Sequence, residues 1–96
     1  MNAQKEIIKH IDSREVELVR IAVSRGYYEE PLRIEGTLEQ VLPLLNFEYD
    51  EGYGGQNLFG YIWYADGTWS ERGEYDGSEW WSHKERPRKG IDINIY

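Results

Sequence analysis

The chain has no cysteine among its 96 residues, which excludes disulfide bonds and thiolate metal sites. Small secreted domains usually depend on such bridges, so we expect a protein of the cytoplasm. Long apolar runs are also absent: none approaches the roughly 20 residues that a membrane-spanning helix needs. Residues 1–6 contain no apolar segment of the kind found in signal peptides. The sequence therefore predicts one domain, residues 1–96, with no membrane partner.

Residue types that carry catalysis are scarce. His10 and His83 are the only histidines, and their separation matches no metal-binding spacing. No serine lies in a nucleophile elbow. Asp66 and Asp76 are explained as turn residues before glycine, which removes them as a glycosidase pair. We therefore expect neither a metal nor a cofactor, and no enzymatic activity.

Aromatic residues are the feature that is abundant. The chain contains four Trp, eight Tyr and two Phe, or 15% of its residues. Disordered segments are poor in aromatic residues, and each buried ring removes on the order of 150–250 Å² from water. We therefore expect a folded domain whose core depends on a few large side chains.

The clearest local pattern is an antiparallel meander. Strands are predicted at 58–64, 68–75 and 79–84, and they are separated by Asp66-Gly67 and Asp76-Gly77. Asp-Gly pairs favour two-residue type I′ turns, in which both residues have a positive φ. Aromatic residues alternate onto both faces of the first strand, so we expect both faces of the sheet to be at least half covered.

A further strand is predicted near the C-terminus. Ile91, Ile93 and Ile95 alternate with polar residues, a pattern typical of an edge strand. Such an edge also offers one route to a homodimer.

Two helices are predicted before the meander begins. In residues 3–11 the isoleucines recur at helical spacing. Residues 14–25 are ambiguous, because Val16, Val19 and Val23 share one helical face while the segment is rich in β-branched residues that suit a strand. A helix is the favoured interpretation, since acidic residues precede basic ones and Gly26 follows.

A third helix is predicted at 38–45. Thr37 and Gln40 have the spacing of a capping box, and Pro43 is expected to kink the last turn. The fold class is therefore α+β, with N-terminal helices packed on a three- to four-stranded antiparallel meander.

The net charge of −7 indicates which classes of partner the protein can bind. Nucleic acids and anionic membranes require positive charge, so an acidic protein favours a basic protein partner instead. Carboxylates on a compact scaffold can imitate the phosphates of DNA, and Trp side chains can act as anchors. The residues predicted to contact such a partner are Glu29, Glu30, Glu48, Asp50, Glu51, Glu71, Glu74, Asp76, Glu79, Trp69, Trp80 and Trp81.

An alternative is a module that binds single-stranded nucleic acid. Trp80 and Trp81 are followed by a basic segment, and aromatic stacking combined with positive charge is typical of such modules. The predicted cationic contacts are Lys84, Arg86, Arg88 and Lys89. A structural or homodimeric component is the third hypothesis.

Residues 66–81 read DGTWSERGEYDGSEWW, and Pro87 follows. This stretch resembles the C-terminal signature of small accessory proteins from tailed bacteriophages and prophages, often DGTWxERxEYDGSEWW; residues 49–56 are also similar. The resemblance implies a phage protein that acts inside a bacterial host. Its expected role is to inhibit a host nuclease, restriction system, CRISPR complex or transcription complex. The signature implies no catalytic residues.

Overall fold

The computed structural model describes residues 1–24, 30–49, 56–75 and 78–86. Two short helices and five strands make up the described part of the chain. In chain order they are α1 (Ala3–Ile11), β1 (Val16–Val23), β2 (Leu32–Gly36), α2 (Leu38–Val41) continued by a 3₁₀ helix (Leu42–Leu45), β3 (Leu58–Tyr64), β4 (Trp69–Tyr75) and β5 (Ser78–Lys84). The predicted α+β class is confirmed, while the sheet has more strands and fewer N-terminal helices than expected.

The sheet is antiparallel, and its strand order is β2-β1-β3-β4-β5. The helix predicted at 14–25 is wrong, because β1 occupies this segment and pairs with strands on both sides. Val19 and Ile21 are buried while Arg20 between them is exposed, which is the two-residue period of a strand. The β-branched side chains suit this pleated position. The local sequence suits a helix and a strand about equally well. Pairing with the backbones of β2 and β3 selects the strand.

The three meander strands are confirmed to within one residue at each end. The first turn differs from the prediction, since it has three residues, Ala65 to Gly67, and only Gly67 has a positive φ, 88°. This is the type I turn followed by a left-handed glycine that also joins hairpin strands. The Asp66 carboxylate accepts hydrogen bonds from the hydroxyl and backbone N–H of Thr68, which lower its pKa. Asp76-Gly77 lies outside the described residues, as does the predicted strand at Ile91–Ile95.

Both remaining helices begin at predicted places. The side chain of Asn2 caps α1 by accepting from the backbone N–H of Lys5. Thr37 and Gln40 form the predicted capping box at α2. The predicted kink at Pro43 takes the form of a change to 3₁₀ geometry from Leu42 onward. Proline has no N–H to continue the α-helical ladder, so the change of geometry begins beside it.

The core lies on one side of the sheet. Both helices pack there against the inward side chains of the strands, so the helices and the sheet form two layers. The buried apolar residues are Ala3, Ile7, Ile11, Val19, Ile21, Ile34, Val41, Leu45, Tyr49, Leu58, Ile62, Tyr64 and Trp81. In the described ranges, no helix has the length and apolar character needed to cross a bilayer.

Candidate functional site

The side of the sheet that faces away from the helices carries a row of exposed rings. On β3, buried Leu58, Ile62 and Tyr64 point toward the core, so the residues between them point outward. We call the outward rings the aromatic face: Phe59, Tyr61 and Trp63 on β3, Trp69 and Tyr75 on β4, and Trp80 on β5. Four of these side chains are 42–77% exposed. Contiguous apolar surface of this kind marks an interaction site on a soluble domain.

The strand register places the outward rings next to one another. Trp63 on β3 lies directly opposite Trp69 on β4, and Trp69 lies opposite Lys84 on β5. Side chains directly opposite across antiparallel strands are in contact range. Tyr61 stacks on Trp63 with ring centroids 5.5 Å apart and planes at 25°. The rings therefore adjoin one another from β3 to β4, while Trp80 lies on the same face of β5 opposite Gly73.

Arg20 borders the aromatic face on β1. Its guanidinium lies 5.5 Å from the ring centroid of Trp63, and its Nη2 donates to the Glu35 carboxylate at 2.8 Å. A cation over an indole face is favourable, and the ion pair fixes its orientation. Beside it, Arg20, Arg33, Phe59 and Tyr61 border a groove of about 530 Å³ over strands β1 to β3. This groove is large enough to receive side chains of a partner.

Gly73 makes room for the ring of Trp80. A Cβ atom at Gly73 would lie 2.9 Å from Nε1 of the Trp80 indole, closer than side chains normally approach. The indole of Trp80 therefore lies against the backbone of β4, and it remains 42% exposed. A flat, partly supported indole is a suitable anchor for a partner, because little conformational freedom is left to lose on binding.

Carboxylates flank the aromatic face at both ends of its strands. At the end with the β3–β4 hairpin, the exposed acidic residues are Glu15, Glu17 and Asp66. At the opposite end, Glu30 precedes β2 and Glu74 lies near the end of β4. The aromatic face thus has an apolar centre, an acidic rim at the two strand ends, and the cations Arg20 and Lys84 beside its rings.

Three of the predicted acidic contacts lie at one end of the sheet. Glu30, Glu48 and Glu74 are exposed there, and Glu48 lines a small groove with Ser24 at the end of β1. Glu71 points outward on the aromatic face, opposite Tyr61. The predicted contacts Glu29, Asp50, Glu51 and Asp76 lie outside the described residues.

Glu79 is not a surface residue, and the prediction that it contacts a partner is wrong. Its side chain has no exposed area and accepts hydrogen bonds from the backbone N–H groups of Asn57 and Leu58, at 2.7 and 2.9 Å. Arg72 also donates to it, from Nη2 at 2.8 Å. A buried carboxylate is stable only with such partners. Glu79 therefore holds β5 to the start of β3.

Arg72 is the centre of this buried ionic cluster. Its side chain is 1% exposed, and it also donates to Glu6 on α1 and to the hydroxyl of Tyr49. The rings of Tyr49 and Trp81 lie 5.6 and 5.2 Å from its guanidinium carbon. Burial tends to lower the pKa of Arg72, but the two carboxylates raise it above its ordinary value. The cluster joins helix, loop and sheet, and its role is structural.

Trp81 also faces inward, so its predicted role as an exposed anchor is wrong. It is 7% exposed and packs beside Arg72 and His10. Successive residues of a strand point to opposite faces, so only one member of the pair Trp80-Trp81 could reach solvent. Of the predicted cations, Lys84 points to the aromatic face and Arg86 is exposed after β5. Arg88 and Lys89 lie outside the described residues.

A second polar group links α1 to the meander. His10 is half-buried, with Nε2 2.7 Å from the hydroxyl of Ser70. That hydroxyl also lies 2.7 Å from the Tyr64 hydroxyl and has no exposed area, so it is not available as a nucleophile. Burial, followed by the nearby Arg14, lowers the pKa of His10. The described residues contain no cluster of three side chains that could hold a metal ion.

Sequence reasoning missed most of the aromatic face. Phe59, Tyr61 and Trp63 were recognised as alternating, but both faces of the sheet were expected to be at least half covered, because both carry aromatic residues. The segment 14–25 was expected to add a helix to the layer that packs on the sheet. Once that segment joins the sheet as β1, one layer of helices is left, and one face remains open. The alternation of three aromatic residues with Leu58, Ile62 and Tyr64 was the signal that could have revealed it.

Comparison of the chain with protein-family models, with curated proteins and with solved structures finds no match.

Proposed function

We propose that the chain is a non-catalytic binding protein that docks through its aromatic face onto a partner protein with a basic surface. The observation that supports this most is the open platform of rings with carboxylates at both ends of its strands. Protein interfaces have an apolar centre enriched in Trp, Tyr and Arg, surrounded by a polar rim. The aromatic face and its flanking residues have this arrangement.

The aromatic face and the outward sides of β1 and β2 beside it are together large enough for a specific complex. Five strands about 4.8 Å apart and about 3.3 Å per residue over seven residues give an outward sheet surface of roughly 24 by 23 Å. Two partners would then bury on the order of 1,100 Å² in total, just above the ~1,000 Å² expected of a specific interface. A complex of this size depends on a few strong anchors, for which Tyr61, Trp63 and Trp80 are the candidates.

The negative charge of the chain favours one class of partner over a second copy of the chain or a nucleic acid. A second copy of the chain would bring two acidic rims together, and a nucleic acid would bring phosphates against the same carboxylates. A protein with lysines and arginines around an apolar patch avoids both penalties, and its approach would be accelerated by the net charge of −7. A basic protein partner is therefore favoured.

The identity of the partner follows from the resemblance to phage accessory proteins. Such a protein would act in the cytoplasm of a bacterial host, where proteins with basic, apolar-centred surfaces include nucleases, restriction and CRISPR complexes, and transcription complexes. The chain would inhibit one of these by covering the surface that contacts nucleic acid. Its carboxylates would occupy part of the space of the phosphates, as a partial DNA mimic.

The test is affinity capture from nuclease-treated bacterial lysate, followed by calorimetry with the purified partner. The Y61A/W80A variant removes two exposed rings of the aromatic face. The matched control is L44S, which removes an exposed apolar side chain, 56% accessible, from the 3₁₀ helix. We expect a basic protein to be captured by the wild type and by L44S, and its affinity to fall by at least about 100-fold in Y61A/W80A.

Equal binding by Y61A/W80A would contradict the proposed site. A captured partner without a basic contact surface, or binding that does not weaken with salt, would contradict the role of the acidic rim. Circular dichroism of both variants separates loss of contact from loss of folding.

Binding of single-stranded nucleic acid is a second candidate. It is favoured by the placement of Trp69, Trp80 and Lys84 on one face, since sheet platforms with exposed rings and cations stack bases. Fluorescence anisotropy with an oligothymidine at low ionic strength tests it. Binding that is lost in W80A and weakened in K84Q would favour this function over a protein partner.

A further inference from the structure

A second groove lies between α1 and β5, at the edge of the sheet. It has a volume of about 530 Å³. Lys5, Lys9 and His10 line it from the helix, and Arg14 lines it from the segment that follows. On β5 the inward Trp81 and the outward Trp80 both line it, so the groove meets the aromatic face at Trp80.

The charge of this groove is opposite to that of the whole protein. Lys5, Lys9 and Arg14 contribute three cations, and none of them has a carboxylate within ion-pair distance among the described residues. Glu6 is the acidic residue of the lining, and its carboxylate is already held by Arg72 and Tyr49. Arg14 donates to the backbone carbonyl of His10 and lies over the Tyr64 ring, so its positive charge is not neutralised by a described carboxylate. In a chain with a net charge of −7, three such cations around one groove attract an anionic ligand.

Trp81 supplies an independent observation. Its side chain is 7% exposed, and its indole Nε1–H has no hydrogen-bond acceptor within the described part of the chain. Buried indole N–H groups usually have a partner. The Nε1 atom has almost no exposed area, so a ligand with carbonyl or carboxylate oxygens would supply the missing acceptor after the indole turns toward the groove.

The adjacent strand edge indicates the shape of the ligand. Within the described residues β5 pairs with β4 alone, so no described residue occupies its other edge. An extended peptide can add to such an edge as a further strand. Lys5 and Lys9 lie one turn apart on α1, about 6 Å along its axis, which matches the spacing of alternate residues in an extended chain.

We propose that this groove binds an extended acidic peptide segment of a partner protein, which pairs with the edge of β5 and places its carboxylates against Lys5, Lys9 and Arg14. Nucleic acid fits the groove less well, because Trp81 is too buried to stack with a base and the indole of Trp80 lies against Gly73. A peptide uses the cations, the unpaired indole N–H and the strand edge together. The site shares Trp80 with the aromatic face, but its cations select a ligand of the opposite charge to the proposed basic partner.

The test uses an acetylated, amidated heptapeptide of alternating glutamate and threonine, titrated into the ¹⁵N-labelled chain at low ionic strength. We expect the Trp81 indole resonance to move, and the backbone amides of β5 to move with it. The K9E variant should weaken binding about five- to tenfold, because an ion pair is replaced by repulsion. R86E is the matched control, since it also takes the net charge from −7 to −9 at an exposed position; its affinity should change by less than about twofold.

A peptide N-methylated at alternate residues tests the strand pairing, and we expect it to lose most of the affinity. The proposal is overturned if the heptapeptide does not bind, if K9E and R86E weaken it equally, or if the methylated peptide binds as well as the parent. It is also overturned if the indole signals of the aromatic face shift while that of Trp81 does not. Tighter binding of an oligothymidine of equal charge would assign the groove to phosphates instead.

Discussion

Replacement of Glu79 by Gln should remove most of the stability of the fold. The substitution keeps the size of the side chain but removes its charge, and its amide group would face donors rather than acceptors. The carboxylate receives two backbone N–H groups, from Asn57 and Leu58, and the guanidinium of Arg72. At least one of these donors loses its partner in the variant.

The magnitude follows from burial. The side chains of Arg72 and Glu79 are 1% and 0% exposed, so water cannot replace the lost interaction. Breaking a buried ion pair by removing one partner costs about 3–5 kcal/mol, and a domain of this size has a free energy of unfolding of roughly 5–15 kcal/mol. Glu6 remains as a second partner of Arg72 and keeps the cost within this range.

Urea denaturation followed by tryptophan fluorescence measures the effect. With a slope of about 1 kcal/mol per molar urea, we expect the midpoint of E79Q to fall by about 3–5 M or the variant to be unfolded in buffer. E71Q is the matched control, because Glu71 lies on the outward side of β4 and the same chemical change there should cost less than about 0.5 kcal/mol. A loss below about 1 kcal/mol in E79Q would refute the structural role of the cluster.

The pH dependence of the free energy of unfolding provides a second test of the role of Glu79. Burial raises the pKa of Glu79, but hydrogen bonds from Asn57, Arg72 and Leu58 outweigh it and hold the pKa below its ordinary value of 4.5. As the pH falls, the unfolded chain therefore takes up this proton first. The stabilisation is present above the ordinary pKa and is lost as the pH falls through the lowered value. The stability curves of the wild type and E79Q should converge in acid, and parallel curves would contradict this.

Two further predictions concern other parts of the fold. His10 should make the protein less stable as the pH falls below about 6.5, because burial and then Arg14 lower its pKa in the folded state, so the unfolded chain binds the proton more readily. The melting temperature of H10Q should vary less between pH 7.5 and pH 5.5 than that of the wild type, and equal slopes would contradict it. G60A should be more destabilising than G67A, although both glycines have a positive φ, of 153° and 88°. A Cβ at Gly60 would collide with the backbone carbonyl of Arg20, whereas at Gly67 it meets open space. We expect losses of about 3 kcal/mol for G60A and about 1 kcal/mol for G67A in urea denaturation, and equal losses would show that the contact with Arg20 is unimportant.

The arrangement of the proposed interaction surfaces follows from the position of β1 inside the sheet. Its insertion between β2 and β3 widens the sheet to five strands, and the helices pack on one side of this sheet. The aromatic face occupies the other side, and the α1–β5 groove lies at the sheet edge, where Trp80 belongs to both.

Local sequence determined the elements whose signals have no competitor. Helix α1, the capping box at Thr37, and the strands β3, β4 and β5 were predictable, because periodicity, capping and Asp-Gly turns act over a few neighbouring residues. The local sequence of segment 14–25 fits both a helix and a strand. Pairing with β2 on one side and β3 on the other selected the strand.

The same distinction applies to the candidate sites. The sequence predicted Trp69 and Trp80 as anchors and Glu71 as a contact, and the structure shows that all three lie on the aromatic face. The tertiary structure alone decided that Trp81 and Glu79 are buried, because their burial depends on Arg72, which has its partners on distant elements. Contacts between residues far apart in the chain decide which face of a sheet stays exposed and which buried charges are neutralised. A local sequence pattern holds no information about these contacts.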